Sequence, residues 1–223
     1  MLIVHAGNRI DGPDRVPPRF PAAHAVDVRD RLAVLLDALD VDRVVSAAAA
    51  GADLLVLQAA ARVGVPTTIA LPLEPDDFRR RSVEDLGGPW PAWFDEAIAA
   101  ADEVVVDDLS HEDEWYLLGN EVILDAAAAR SAHPPLVVAV RAGAGSATDD
   151  FVDRGVARGW TVVDLDPSIG PDDRPVVPVD AASLDGASVA ALIDLDLGWA
   201  EVPDAPPLPS EVTARRDQLR RLS

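Results

Sequence analysis

Short runs of apolar residues alternate with longer stretches of helical periodicity along most of the chain. Leu2–Ala6, Arg43–Ser46, Thr67–Leu71, Glu103–Val106, Pro135–Val140 and Trp160–Leu165 read as strands. Between the first two, Val28, Leu32, Leu35, Leu36 and Leu39 fall on one helical face. Gly51 to Val63 reads as an Ala/Leu-rich helix that stops at Gly64. Pro75–Arg81, with proline near its first position, and Trp93–Ala101, opened by a Gly-Gly-Pro-Trp-Pro turn, read as two short helices. Glu112–Ala129 and Thr148–Arg158 complete the set, the former carrying Glu112, Asp113 and Glu114 in its expected first turn. Strands that are continuously apolar, alternating with helices, predict a mostly parallel, doubly wound α/β sheet of about six strands over residues 1–166.

Composition shifts after Asp166. Residues 167–180 and 201–210 are rich in Pro and Asp, Ala187–Trp199 reads as one strand or a short helix, and Val212–Leu222 reads as a terminal helical stretch. Residues 167–223 are thus expected to be a C-terminal extension without an active site. Ser188–Ala200 faintly resembles the opening strand of a class III nucleotide cyclase domain. Asp194 and Asp196 miss the register of that family's metal-binding Asp relative to Gly198, and too little chain follows for a cyclase domain. An appended strand or interaction arm is expected there instead.

Charge narrows the functional classes. Of 223 residues, 39 are acidic and 19 basic, a formal charge of −20, and every basic residue is Arg. Such a chain is not expected to bind nucleic acid or anionic membranes, which require clustered cations. Cys and Lys are absent, which excludes thiol nucleophiles, thiolate metal sites, disulfides, Schiff-base lysines and a P-loop lysine. His5, His24, His111 and His133 lack metal-ligand spacing, so no metal site is expected. No targeting segment or membrane span is read from the sequence, and a cytoplasmic location is expected.

Three loops after predicted strands carry candidate chemistry, because ligands of open α/β sheets bind at the carboxyl ends of strands. In Gly7-Asn8-Arg9-Ile10-Asp11, glycine permits close approach and Arg9 offers two hydrogen bonds to a phosphate; the alternative is a turn with an Arg–Asp pair. Ser46 to Asp53, with Gly51, offers small residues before a helix start, suited to an anion or to close packing. Asp53 caps that helix or accepts from a ribose hydroxyl. Arg141, Gly143, Gly145, Ser146 and Thr148 form a third, phosphate-cradling candidate. Trp93 and Tyr116 are base-stacking candidates, with the hydrophobic core as the alternative. Asp107-Asp108 suits a turn cap better than Mg²⁺. Ser, His and Asp are all present, but there is no Gly-x-Ser-x-Gly elbow.

These segments also resemble a known superfamily. Gly7–Asp11 followed by Pro17-Pro18-Arg19-Phe20-Pro21 resembles the "GHRID…PRFP" opening of one group of SLOG domains, the superfamily of DprA-type and LOG-type Rossmannoid proteins. Ser46–Asp53 with Leu54-Leu55 resembles its "S-x-A-C-G-A-D-x-L" segment. Leu71-Pro72, Asp77-Phe78-Arg79-Arg80 and Ser82-Val83 resemble its "LPF…EFRR.SV", and Gly145–Val152 resembles its "G-P-G-G-T-A-D-F-V" loop. The match runs collinearly over about residues 2–165. It implies a Rossmannoid fold and a nucleotide or nucleotide-derived ligand, in proteins often fused to signalling effectors, and so a signalling or defence context. Asn8 stands where the group has His, Ala50 where it has Cys, and Ser146-Ala147 where it has Gly-Gly. LOG-type hydrolases carry a Glu after that loop, where this chain has Asp149 and Asp150. The expectation is therefore a ligand sensor that needs no cofactor or Mg²⁺ and is a possible homodimer. A hydrolase of nucleotide N-glycosidic or phosphoester bonds is the second reading, and a scaffold without ligand the third.

Overall fold

A computed structural model describes residues 1–144, 146–170 and 199–201. Six parallel strands form its sheet: β1 (Leu2–Gly7), β2 (Arg43–Ser46), β3 (Thr67–Leu71), β4 (Glu103–Val106), β5 (Leu136–Val140) and β6 (Val162–Leu165). A seventh, β7 (Trp199–Glu201), pairs antiparallel with β6, so the order is β4-β3-β2-β1-β5-β6-β7. The mostly parallel α/β fold expected from the alternation is therefore the observed one, and it is Rossmann-like. β7 shares only Trp199 with the stretch Ala187–Trp199 that the sequence leaves open between strand and helix; the rest of that stretch lies outside the described residues. The terminal stretch Val212–Leu222 and the residues between Gly170 and Trp199 lie outside the described residues.

Six helices connect the strands: α1 (Ala25–Ala38), α2 (Ala52–Val63), α3 (Pro75–Ser82), α4 (Trp90–Ala100), α5 (Trp115–Ala128) and α6 (Ala147–Ala157). The expected α1 stripe is buried at Val28, Leu32, Leu35 and Leu36. α2 buries nearly its whole first two turns, because it lies against β1 and β2 on one side and α1 on another. Gly64 ends it in the left-handed conformation, φ 74°, donating to Ala60 and Ala61 carbonyls. α5 begins three residues later than expected, at Trp115. The segment before it is held in turns instead: Ser110 N–H and its hydroxyl donate to Asp108, and Glu112 N–H to the Leu109 carbonyl.

Right-handed crossovers put α1, α2 and α4 on one face, and α5 and α6 on the other. The winding reverses between β1 and β5, which opens a crevice beyond the C-terminal ends of β1, β2 and β5. No helix among the described residues is long and apolar enough to cross a membrane.

Candidate functional site

The crevice is built from the loop after β1. Gly7 has no room for a side chain: an added Cβ would sit 2.3 Å from Ala52 Cβ and 2.9 Å from the Val140 carbonyl oxygen. Asn8 then ties three elements together. Its N–H donates to Val140 O (2.7 Å), its carbonyl accepts from Ala52 N–H (3.1 Å), and its Oδ1 accepts from Ala142 N–H (2.7 Å). A buried residue in this place needs a side-chain acceptor, since the Ala142 amide would otherwise have no partner there. Arg9 lies across an isolated antiparallel bridge from Gly51. Gly51 has φ 131° and its Cβ position is 2.7 Å from the Arg9 Cα, so both conformation and space call for glycine. Asp11 closes the outer loop by accepting from Arg19 and Phe20 N–H groups, both at 2.7 Å.

Two adjoining compartments result, sharing Gly7, Arg9, Ala147 and Thr148. The inner one, about 150 Å³, has small residues at the strand ends (Ala6, Ala47, Ala49) facing Phe78, Trp115 and Tyr116, with Pro72 and Ile123 beside them. Its polar groups are Arg9, Asp53, Ser82, Asn120 and Thr148. The outer one, about 490 Å³, is lined by Arg9, Arg15 and Arg19, with Asp11, Asp85 and Leu86. Asp11 is engaged by the loop amides and by Arg15 at 3.4 Å, and Asp85 by Arg9. Arg19 donates from Nε to the Ala142 carbonyl (3.0 Å) and makes no ion pair with a described residue. The compartments thus offer an aromatic-lined slot beside an arginine-lined basin in which Arg9 and Arg15 are paired with Asp85 and Asp11 and Arg19 has no ion-pair partner among the described residues.

Beneath the inner compartment lies a buried polar cluster. His5 Nδ1 is 3.2 Å from Ser46 Oγ and 3.6 Å from Asp53 Oδ1, while Asp53 Oδ2 accepts from Ala49 N–H at 3.3 Å. Asp53 is 6% exposed, and burial pushes its carboxyl up to about 7, against the pull of the Ala49 and Gly7 amides and the Arg9 charge. Burial lowers His5 to about 3. Near neutrality the imidazole is uncharged, and Asp53 is poised between its two forms.

The structure brings Gly7, Arg9, Asp53, Thr148 and Tyr116 to the inner compartment, and Asn8 and Ser146 to the outer one. Ser46 and Gly51 support this region from below, in the contacts just described, and do not line it. Arg141 lies apart. Its guanidinium reaches Asp149 (2.6 Å) and Asp164 (2.7 Å) in a separate hollow beyond β5 and β6, because two carboxylates hold it on that side of α6. The expected phosphate cradle before α6 is also internally satisfied, since Ser146 and Asp149 form a reciprocal capping box. Gly145 lies outside the described residues. Trp93 packs edge-on against Trp90 at 5.0 Å and lines a groove between α2 and α4, away from the crevice, because α4 sits on the opposite face from α5.

Residues that the sequence did not single out complete the site. Phe78, Ser82 and Arg19 all lie within segments that carry the superfamily resemblance, which was their available signal. Arg15, Trp115 and Asn120 gave none specific to a ligand.

No protein-family model matches the chain, and no curated protein matches it significantly. Solved structures similar to it include TM1055, a structural-genomics target, with 18% identity and a TM-score of 0.41 over 72% of this chain and 71% of that one. Another is DNA processing protein A (DprA) from Streptococcus pneumoniae, with 15% identity and a TM-score of 0.49 over 80% of this chain and 51% of that one. The chain spans about half of the DprA structure's length.

Proposed function

We propose that this protein binds a nucleotide or nucleotide-derived ligand and acts as a sensor, in a signalling or defence setting. The observation that carries the reading is the pairing of an aromatic slot with an arginine-lined basin, joined at Arg9 and Thr148. A base between Tyr116 and the small strand-end residues, with its phosphate toward Arg9 and Arg19, uses both halves. The sequence resemblance to SLOG domains supports the same ligand class. Aromatic contact gives affinity for any base, and the arginines add charge-assisted hydrogen bonds that a neutral nucleoside lacks.

Hydrolysis is the second reading, favoured by one feature, the buried Asp53 carboxyl at the inner compartment. N-glycosidic cleavage needs both leaving-group protonation and stabilisation of a developing cation. Among described lining residues, Asp53 is the one carboxyl of the inner compartment, and sensing asks less of it. Incubation with a panel of nucleotides, read by thermal shift and chromatography together, tests the proposal. A shift without product is expected. Product would establish the hydrolase, and neither shift nor product would leave a scaffold.

A further inference from the structure

We propose that the protonation of Asp53 sets the affinity of the crevice for anionic ligands, the neutral carboxyl giving the tighter site. The inference rests on the reading that an anion seats beside Arg9. Asp53 and Arg9 line the same compartment, and Asp53 is almost entirely screened from solvent. Its Oδ1 is buried without a short hydrogen bond; His5 Nδ1 lies 3.6 Å away, and the Gly7 amide also acts on the carboxyl.

The groups around the carboxyl leave the task to Asp53. From β1, His5 faces it and stays neutral, since burial lowers that imidazole to about 3. From the following loop comes Arg9, whose charge acts on Asp53 and whose other partner is Asp85. From β2 comes the uncharged Ser46 hydroxyl, and from α5 Tyr116 lies across the cavity. Arg9 is therefore the one cation among the described inner lining, and an ionised Asp53, itself almost wholly screened from water, sets a negative charge in the same compartment.

An anion seated beside Arg9 and an ionised Asp53 carboxylate then repel one another across the inner compartment. Binding above neutrality drives a proton from solvent onto Asp53, so affinity falls as pH rises through the carboxyl's titration near 7. The helix start does not replace Arg9, because Asp53 itself occupies the first turn of α2.

The test compares the full chain with Asp53→Asn, using a nucleoside 5′-monophosphate at matched salt. Reporting the ratio of the two dissociation constants cancels the probe's own phosphate titration. From about pH 5.5 to about pH 8.5, wild type should weaken roughly five- to tenfold relative to the variant, a coupling of ordinary size. A ratio that stays flat while both proteins bind overturns the proposal and leaves the site standing. Absence of binding by either protein at every pH overturns the site as well. Should Asp53→Asn not fold, calorimetry of wild type near pH 7.5 in buffers of different ionisation enthalpy decides. Proton uptake of about 0.4–0.5 per ligand is expected from that coupling, after correction for the probe, and none contradicts it.

Discussion

Arg9 and Gly51 meet backbone to backbone, and this bridge between the β1 loop and the start of α2 fixes where the guanidinium emerges. The Gly51 Cβ position lies 2.7 Å from Arg9 Cα, Asn8 O and Ile10 N alike, all backbone atoms that cannot turn aside. Gly51→Ala should therefore destabilise the fold by about 1–3 kcal/mol and weaken nucleotide binding, through strain at its positive φ and overpacking. Urea denaturation with a matched binding titration checks this; an unchanged midpoint contradicts the assignment.

The two arginines of the strand-end loops should behave differently. Arg9→Ala removes a charged hydrogen-bond partner from the crevice and should cost about 1.5–3 kcal/mol of binding, roughly ten- to hundredfold in affinity. Arg141→Ala leaves Asp164 and Asp149 without their guanidinium and should lower stability by about 1–2 kcal/mol, with binding nearly unchanged. Titration calorimetry beside thermal melts separates the two outcomes.

Tyr116 is about half exposed at the mouth of the inner compartment. Tyr116→Ala should weaken a nucleoside monophosphate by about 1–3 kcal/mol if the base stacks there. Inorganic phosphate should bind the variant as it binds wild type. Equal loss for both probes would show that Tyr116 shapes the basin and does not meet the base.

Asp53 predicts a stability change with pH. Its folded-state pKa, about 7, lies above the ordinary value of 3.8, so the folded protein holds a proton that the unfolded chain releases between those values. Stability from this group is complete below about pH 4 and is lost as pH rises to 7, on the order of 4 kcal/mol in all. His5 works the other way, losing stability as pH falls from 6.5 toward 3, because its buried ring stays neutral while the unfolded chain charges. Asp53→Asn should thus stabilise the protein relative to wild type increasingly from pH 4 to 8. Chemical denaturation across that range checks it, and a difference that shrinks with rising pH contradicts it.

Strand ends were legible in the sequence because continuous apolar runs such as Leu136–Val140 fit only a sheet covered on both faces. That reading placed Gly7, Arg9, Asp53 and Thr148 near one another, since topology alone carries strand ends to one edge. It did not reveal which way a side chain turns once there. Arg141 leaves the crevice because Asp164, 23 positions later, sits on the neighbouring strand β6, a pairing visible only once the register is known. Trp93 and Tyr116 are both aromatic and both near helix starts, yet α4 and α5 lie on opposite faces, and only the crossover decides between them. The buried link from His5 to Asp53 joins residues 48 apart through three-dimensional contact, without local periodicity to announce it.

One bipartite crevice carries the proposed function, and a structure of the protein with a bound nucleoside 5′-monophosphate tests it most directly. The base should lie in the slot formed by Phe78, Trp115 and Tyr116, and the phosphate within hydrogen-bond reach of Arg9 and on the Arg19 side of it. A ligand seated in the hollow beside Arg141, in the groove beside Trp93, or nowhere at saturating concentration would contradict it.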